Sequence, residues 1–158
     1  MKILRATKKD LPALLALNVE LNEFVERLEP REKRDKNYAS TLKRFYEKQF
    51  SRKNKRVLFL KAVDSKSGAI IGLVRASIEE AIPIFKEKRF LRISDVFVKL
   101  RFRRKGVATA LIRSALVWGK GSGLKHAELL LEEKNAVASV LYVSLGFSDW
   151  KKRLWRKL

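Results

Sequence analysis

Apolar residues recur along this chain with two periods, and the switches between them mark out the elements. Residues 2–6 (Lys2-Ile3-Leu4-Arg5-Ala6) read as a short first strand. Thr7 then offers a capping hydroxyl with Asp10 three residues later, so a helix is expected to start there, with Pro12 tolerated in its first turn. Leu11, Leu14, Leu15, Leu17, Leu21, Phe24, Val25 and Leu28 fall at helical spacing, and Glu29-Pro30 should end the run. The charged residues 31–36 read as a surface loop. A second helix is expected from about Tyr38 to Phe50, with Leu42, Phe45, Tyr46 and Phe50 on one side. After a polar, basic break over residues 51–56, Val57 to Val63 reads as a strand. Asp64-Ser65-Lys66-Ser67-Gly68 follows as a hairpin turn, and Ala69 to Ile78 as the partner strand.

Ile82-Pro83-Ile84-Phe85 interrupts the pattern and is expected to anchor its loop by burial, ahead of a strand from Leu91 to Val98. A basic loop leads into a helix that carries Val107, Leu111, Ile112, Ala115, Leu116 and Trp118. The glycine cluster Gly119-Lys120-Gly121-Ser122-Gly123 follows a helix and precedes a strand. That is the reverse of a phosphate-binding loop, so it reads as a C-cap and turn. A strand from Ala127 to Leu131, a helix from Ala136 to Leu145 closed by Gly146, and final strands over residues 147–158 complete the chain, with Trp150 and Trp155 for packing. The order β-α-α-β-β-β-α-β-α-β describes an α/β fold: a mixed sheet of six to seven strands flanked by about four helices. No repeat, low-complexity tract or linker divides residues 1–158, so one domain is expected.

At 158 residues and 46% hydrophobic, the chain can bury about two-thirds of its unfolded surface. It has no cysteine and a single histidine, so neither a disulfide nor a cysteine nucleophile is available, and no metal site is expected. No apolar run approaches 18 residues and the N-terminus does not resemble a signal; a cytoplasmic protein without a membrane partner is expected. The net charge of +20 is spread along the chain and grows toward the C-terminus. It serves either solubility, with ion pairing suited to heat, or attraction to a polyanion such as nucleic acid. The basic stretches Arg52 to Arg56 and Lys151 to Lys157 lack interleaved aromatics and read as solvated faces.

The most informative run is Asp95 to Ile112: an apolar strand, a basic loop with one glycine, and an apolar-faced helix. The first turn of a helix has unpartnered N–H groups and roughly half a positive charge from the dipole. Gly106 lets the backbone approach a ligand and Ala108 is small. Arg103, Arg104 and Lys105 bring positive charge, and Thr109 a hydroxyl. A diphosphate fits such a site.

The spacing Arg103-x-x-Gly106-x-Ala108 resembles the acyl-CoA pyrophosphate loop of the GNAT acetyltransferase superfamily, Gln/Arg-x-x-Gly-x-Gly/Ala. Downstream, Asn135, Ala138, Tyr142, Leu145, Gly146 and Phe147 occupy every fixed position of a second pattern of that superfamily, Asn-x-x-Ala-x-x-x-Tyr-x-x-Leu-Gly-Phe. The two motifs stand in the right order, and the resemblance covers roughly residues 57–150 and extends to the whole chain.

The resemblance implies an enzyme that moves acetyl from acetyl-CoA to a primary amine by direct attack in a ternary complex, without a metal. It implies a sheet splayed after the strand ending at Val98, with the pantetheine arm in the gap. The cofactor-binding residues would be Phe97, Val98, Arg103, Arg104, Lys105, Gly106, Val107, Ala108, Thr109, Asn135, Ala138 and Tyr142. A main-chain N–H at Phe97 or Val98 would polarise the thioester carbonyl. Tyr142 would protonate the leaving thiolate, or else simply pack. Asn135 would bond the pantetheine arm, act as an N-cap, or both.

Asp95 is the candidate general base. Ser94-Asp95-Val96-Phe97-Val98 resembles the Glu-Asp-Phe/Leu-Tyr/Phe-Val strand of polyamine-type acetyltransferases, although Ser94 stands where an acid is usual. A carboxylate in an apolar strand needs a cationic partner, a ligand amine or a retained proton. Glu132 and Glu133 are weaker candidates, and ordered water is another carrier. The acceptor is a small amine, a protein or a peptide, with the strongly positive chain favouring the latter two over free polyamines. The family also implies homodimers. Ile82 to Phe85 beside Glu79, Glu80 and Glu87 is an alternative acceptor lining. His126 reads as structural. Outside catalysis, the alternatives are a CoA-binding sensor and a basic RNA- or ribosome-associated module on the same fold.

Overall fold

The computed structural model describes every residue except 32, 51–54, 153 and 158. Five strands form one sheet in the order of the chain: β1 (Lys2–Arg5), β2 (Val57–Val63), β3 (Ile70–Glu80), β4 (Arg89–Val98) and β5 (Ala127–Leu129). The first four pair antiparallel and β5 joins β4 in parallel. The helices are α1 (Leu11–Leu28), α2 (Tyr38–Gln49), α3 (Val107–Gly121) and α4 (Ala136–Ser144). A 3-10 turn at Lys8–Asp10 leads into α1, and the Asp10 carboxylate accepts the Thr7 N–H (2.8 Å) and hydroxyl (3.0 Å), as the capping pattern predicts.

The alternation of β2, β3 and β4 divides the core between the two sheet faces. Leu58, Leu60, Val74, Ala76, Leu91 and Ile93 pack against Leu111, Ile112 and Ala115 of α3. On the other face Val57, Phe59, Leu73 and Phe97 meet Leu14 and Leu17 of α1 and Tyr46 of α2. α3 lies so close to β4 that a Cβ on Gly119 would stand 2.7 Å from Leu91.

Two features of β4 shape the site. Its register against β3 slips by one residue, Leu73 facing Phe97 but Arg75 facing Ser94, so that Asp95 and Val96 together oppose Val74. The bulge puts Asp95 in the left-handed region, at φ 52°. Parallel pairing with β5 runs only from Leu91–Ala127 to Ile93–Leu129, and from there to Val98 β4 keeps only its β3 partner. A gap therefore opens between the two strands, as the resemblance implies.

Three expectations are corrected. The sheet has five strands, because the described residues of 147–157 form none. Their apolar residues are outnumbered by adjacent lysines and arginines that repel one another along a strand, and β5 offers only three residues to pair with. β5 stops at Leu129 instead of Leu131, leaving Leu130 exposed. Ile82, Ile84 and Phe85 do not anchor their loop; all three are exposed at the β3–β4 hairpin tip, Ile84 at 83%. The break expected over residues 51–56 lies largely outside the described residues.

Candidate functional site

Beyond Val98 the chain makes a 3-10 turn at Leu100–Phe102 and reverses into α3. Arg104 (φ 57°) and Gly106 (φ 74°) are left-handed, and Gly106 is the N-cap of α3. Left-handed residues alternating with ordinary ones turn successive N–H groups to one side, an anion-binding concavity that here meets a helix N-terminus. A Cβ on Gly106 would meet nothing within 4 Å, so glycine is needed for its φ, and the space above it is open. Among the described residues, Asp95 and Arg104 are the only non-glycine residues with positive φ; Asp95 lies within the free stretch of β4 and Arg104 in the loop that follows it. Such backbone costs of order 1–3 kcal/mol per residue and persists where the surroundings over-determine it. Arg104 and Lys105 are exposed, Val107 is buried, and Ala108 and Thr109 are half-buried on the first turn of α3.

The half-buried Arg103 does not project into the concavity. Its Nε donates to the Val98 carbonyl at 2.9 Å, and its guanidinium lies 5.4 Å from the ring centres of both Phe24 and Phe97. Sheet alternation explains why that carbonyl is reachable. The Lys99 N–H donates to Ile71 of β3 (2.9 Å), so the backbone groups of Val98 turn to the open edge. Phe97, paired in register with Leu73, turns its own toward β3. Of the two residues expected to polarise a carbonyl, Val98 presents its N–H to the gap.

Asp95 has the cationic partner that burial demands. Its Oδ2 accepts from Arg75 Nε (2.7 Å) and from the Tyr46 hydroxyl (2.9 Å), while Asn18 Nδ2 donates to the same hydroxyl at 2.7 Å. Tyr46 is fully buried. Burial first, then the Asp95 charge and the hydrogen bond to it, push its hydroxyl well above the ordinary phenol range. Patterning placed Tyr46 on the apolar side of its helix and left Asn18 and Arg75 unremarked. The usable signal was the pair of polar tips at core positions, a tyrosine hydroxyl on α2 and an asparagine within the leucine face of α1.

The second motif forms α4. The Asn135 side chain accepts the Ala138 N–H at 3.2 Å, so it is an N-cap, and its amide donors remain available. Tyr142 packs against the core beside Phe147, with ring centres 6.1 Å apart. Burial pushes its hydroxyl above the ordinary phenol value. Glu132 and Glu133 lie in the β5–α4 connection. His126 stacks on Phe90 at 5.7 Å, the structural role expected of it. Beside Arg75 an open cleft of about 570 Å³ is lined by Phe45, Gln49, Ser77, Glu79 and Glu80, with Ser77 donating to Glu79 at 2.5 Å. Among the described residues no helix is long and apolar enough to cross a membrane.

Solved structures share this fold. The solved structure of the F44R mutant of the BH1408 protein from Bacillus halodurans superposes with a TM-score of 0.86 over 100% of this chain and 99% of that one, at 21% identity. A predicted acetyltransferase with acetyl-CoA from Clostridium acetobutylicum gives 0.79 at 16% identity, over 99% and 95%. The apo aminoglycoside 6'-N-acetyltransferase AAC(6')-IG from Acinetobacter haemolyticus gives 0.74 at 24% identity, over 100% and 98%. In sequence, the acetyl transferase GW6a of Oryza sativa subsp. japonica is 27% identical over 88 residues, 52% of this chain and 21% of its own length. The chain thus spans about a fifth of that relative. The model of the acetyltransferase (GNAT) family matches residues 19–147, a span that holds the left-handed loop, the splayed strand and the whole Asn135–Phe147 motif, and this chain belongs to that family.

Proposed function

We propose that this protein is an N-acetyltransferase that passes acetyl from acetyl-CoA to a primary amine by direct attack within a ternary complex. One observation carries the reading: the free edge of β4, which holds the left-handed carboxylate Asp95, leads through one short turn into a left-handed anion loop at Arg104–Gly106. A long donor with a diphosphate at one end and a thioester at the other fits that edge. The relative bound to acetyl-CoA supports the same donor here. Lys105, Gly106, Val107, Ala108 and Thr109 would hold the diphosphate through N–H groups, charge and a hydroxyl. The amide donors of Asn135 would hold the pantetheine arm, with Ala138 giving it room, and Val98 would meet the thioester end.

The chemistry follows from those placements. The amine must lose a proton, and Asp95 takes it directly or through water. The nitrogen lone pair attacks the thioester carbonyl carbon, and the developing oxyanion accepts the Val98 N–H. When the oxyanion collapses, the C–S bond breaks, Tyr142 protonates the thiolate, and the second proton of the attacking nitrogen passes through water to the Tyr142 phenolate, leaving a neutral amide and the free thiol. Burial holds the Tyr142 hydroxyl protonated but also makes it a weaker acid, so its proton leaves only as the basic thiolate forms. The cleft beside Arg75, with Glu79 and Glu80, would receive the acceptor, and its open shape suits a peptide or protein amine.

Thiol release from acetyl-CoA, followed across peptides, polyamines and aminoglycosides, tests the reading. Turnover that requires a primary amine and falls sharply in Asp95→Asn is expected. Tight acetyl-CoA binding without turnover on any amine would instead favour the non-catalytic sensor.

A further inference from the structure

We propose that Tyr46 is a positioning residue that clamps the Asp95 carboxylate on the bulge of β4, at the end of a one-way chain of hydrogen bonds that begins beyond α1. The inference rests on the reading in which Asp95 meets the acceptor amine, and it adds what holds Asp95 in place. Arg34 Nε donates to Asn22 Oδ1 (2.9 Å), Asn22 Nδ2 donates to Asn18 Oδ1, Asn18 Nδ2 donates to the Tyr46 hydroxyl (2.7 Å), and that hydroxyl donates to Asp95 Oδ2 (2.9 Å).

The direction is forced by chemistry. A carboxylate can only accept, so the single Tyr46 proton must point at Asp95. The oxygen of Tyr46 must then accept, which fixes the amide orientation of Asn18 and, through it, that of Asn22. Each donor therefore points toward Asp95, and bonds aligned in one direction strengthen one another. Arg75 closes the clamp from β3 on the same Oδ2 (2.7 Å). Among the described residues Oδ1 has no protein partner, so one carboxylate oxygen is held and the other is free to meet an amine.

Stability alone does not call for this chain. Asn18, 2% exposed, interrupts a leucine face, and Tyr46 is fully buried. Apolar side chains of similar size commonly serve a core as well or better than buried polar groups. The chain also ends on a left-handed aspartate, a conformation that its surroundings must enforce. Arg34, Asn22 and Asn18 join the middle of the α1–α2 connection to the bulge, so the clamp fixes the acceptor-side helices and the carboxylate as one unit.

The test uses the full chain with Tyr46→Phe, Asp95→Asn and the double variant, each measured for acetyl-CoA Kd and for kcat and acceptor KM at saturating acetyl-CoA. Tyr46→Phe should keep its acetyl-CoA Kd within two-fold and lose at least ten-fold in kcat. The double variant should be no slower than Asp95→Asn, because the hydroxyl acts only through that carboxylate. Asn18→Leu, which fills the apolar face while removing the donor to the Tyr46 oxygen, should lose kcat in the same direction, and it stands in should Tyr46→Phe not fold. Unchanged kcat in a folded Tyr46→Phe or Asn18→Leu, or losses that multiply in the double variant, would overturn the clamp. An Asp95→Asn variant as fast as the parent would instead overturn the role given to Asp95.

Discussion

Arg103 Nε sits 2.9 Å from the carbonyl oxygen of Val98, with the guanidinium 5.4 Å from the ring centres of both Phe24 of α1 and Phe97 of β4. One side chain thus ties the anion loop, the splayed strand and the first helix together. The arginine of the loop motif therefore braces the loop against the strand. Arg103→Ala removes a charged hydrogen bond and two cation–π contacts, and should lower stability by about 2 kcal/mol in denaturant unfolding. Arg103→Lys should recover little of this, since an ammonium lacks the flat face of a guanidinium. Acetyl-CoA affinity should fall in both variants. Parent-like stability in Arg103→Ala would remove the brace.

Tyr142 carries the acid step in the proposed reaction. Tyr142→Phe keeps the ring that packs on Phe147 and removes only the hydroxyl, so stability and acetyl-CoA Kd should change little. kcat should fall by about 10²-fold, the low end for a general acid. A stability loss with kcat intact would make this tyrosine a packing residue.

Two glycines of α3 should respond in opposite directions to alanine. A Cβ on Gly119 would press to 2.7 Å of the buried Leu91, and nothing would meet one on Gly121. Gly119→Ala should therefore lower stability by about 1–2 kcal/mol, overpacking outweighing the better helix propensity. Gly121→Ala should raise it by about 0.5 kcal/mol, a little less than a helix interior would give. Thermal unfolding of the pair, read against the parent, checks both signs.

The pH dependence of stability has one identifiable source near the N-terminus. Burial opposes ionisation of Asp10, but hydrogen bonds from Lys61 (2.5 Å) and Thr7 outweigh it and hold the carboxyl below its ordinary value. A group depressed in the folded state stabilises it fully above the unfolded pKa, about 3.9, and loses that contribution as pH falls toward the folded value. Thermal unfolding between pH 6 and pH 2 should therefore show a steeper acid loss in the parent than in Asp10→Asn. Parallel curves would contradict the assignment.

Much of this architecture is written locally. The helical spacing of the leucines in α1, the Thr7–Asp10 cap, the hairpin turn and the glycine at the head of α3 each act within a few residues, so patterning finds them. Both motifs lie within single strand–loop–helix or helix units for the same reason. The clamp does not, because Tyr46 and Arg75 reach Asp95 from 49 and 20 residues away. Neither the bulge nor the left-handed Arg104 carries a glycine to announce it. The residues of 147–157 mislead in the other direction, since Phe147, Trp150, Leu154 and Trp155 suggest strands while the surrounding positive charge and a three-residue β5 leave them unpaired.

Calorimetric titration with acetyl-CoA, run on the parent and on Gly106→Glu, tests the central claim most directly. The glutamate would force a side chain into φ 74° and place a carboxylate over the N-terminus of α3, in space that is now open. Saturable binding by the parent, lost in a Gly106→Glu variant that still unfolds cooperatively, is the predicted result. A folded parent that does not bind acetyl-CoA, or a variant that binds it as tightly, would contradict the account.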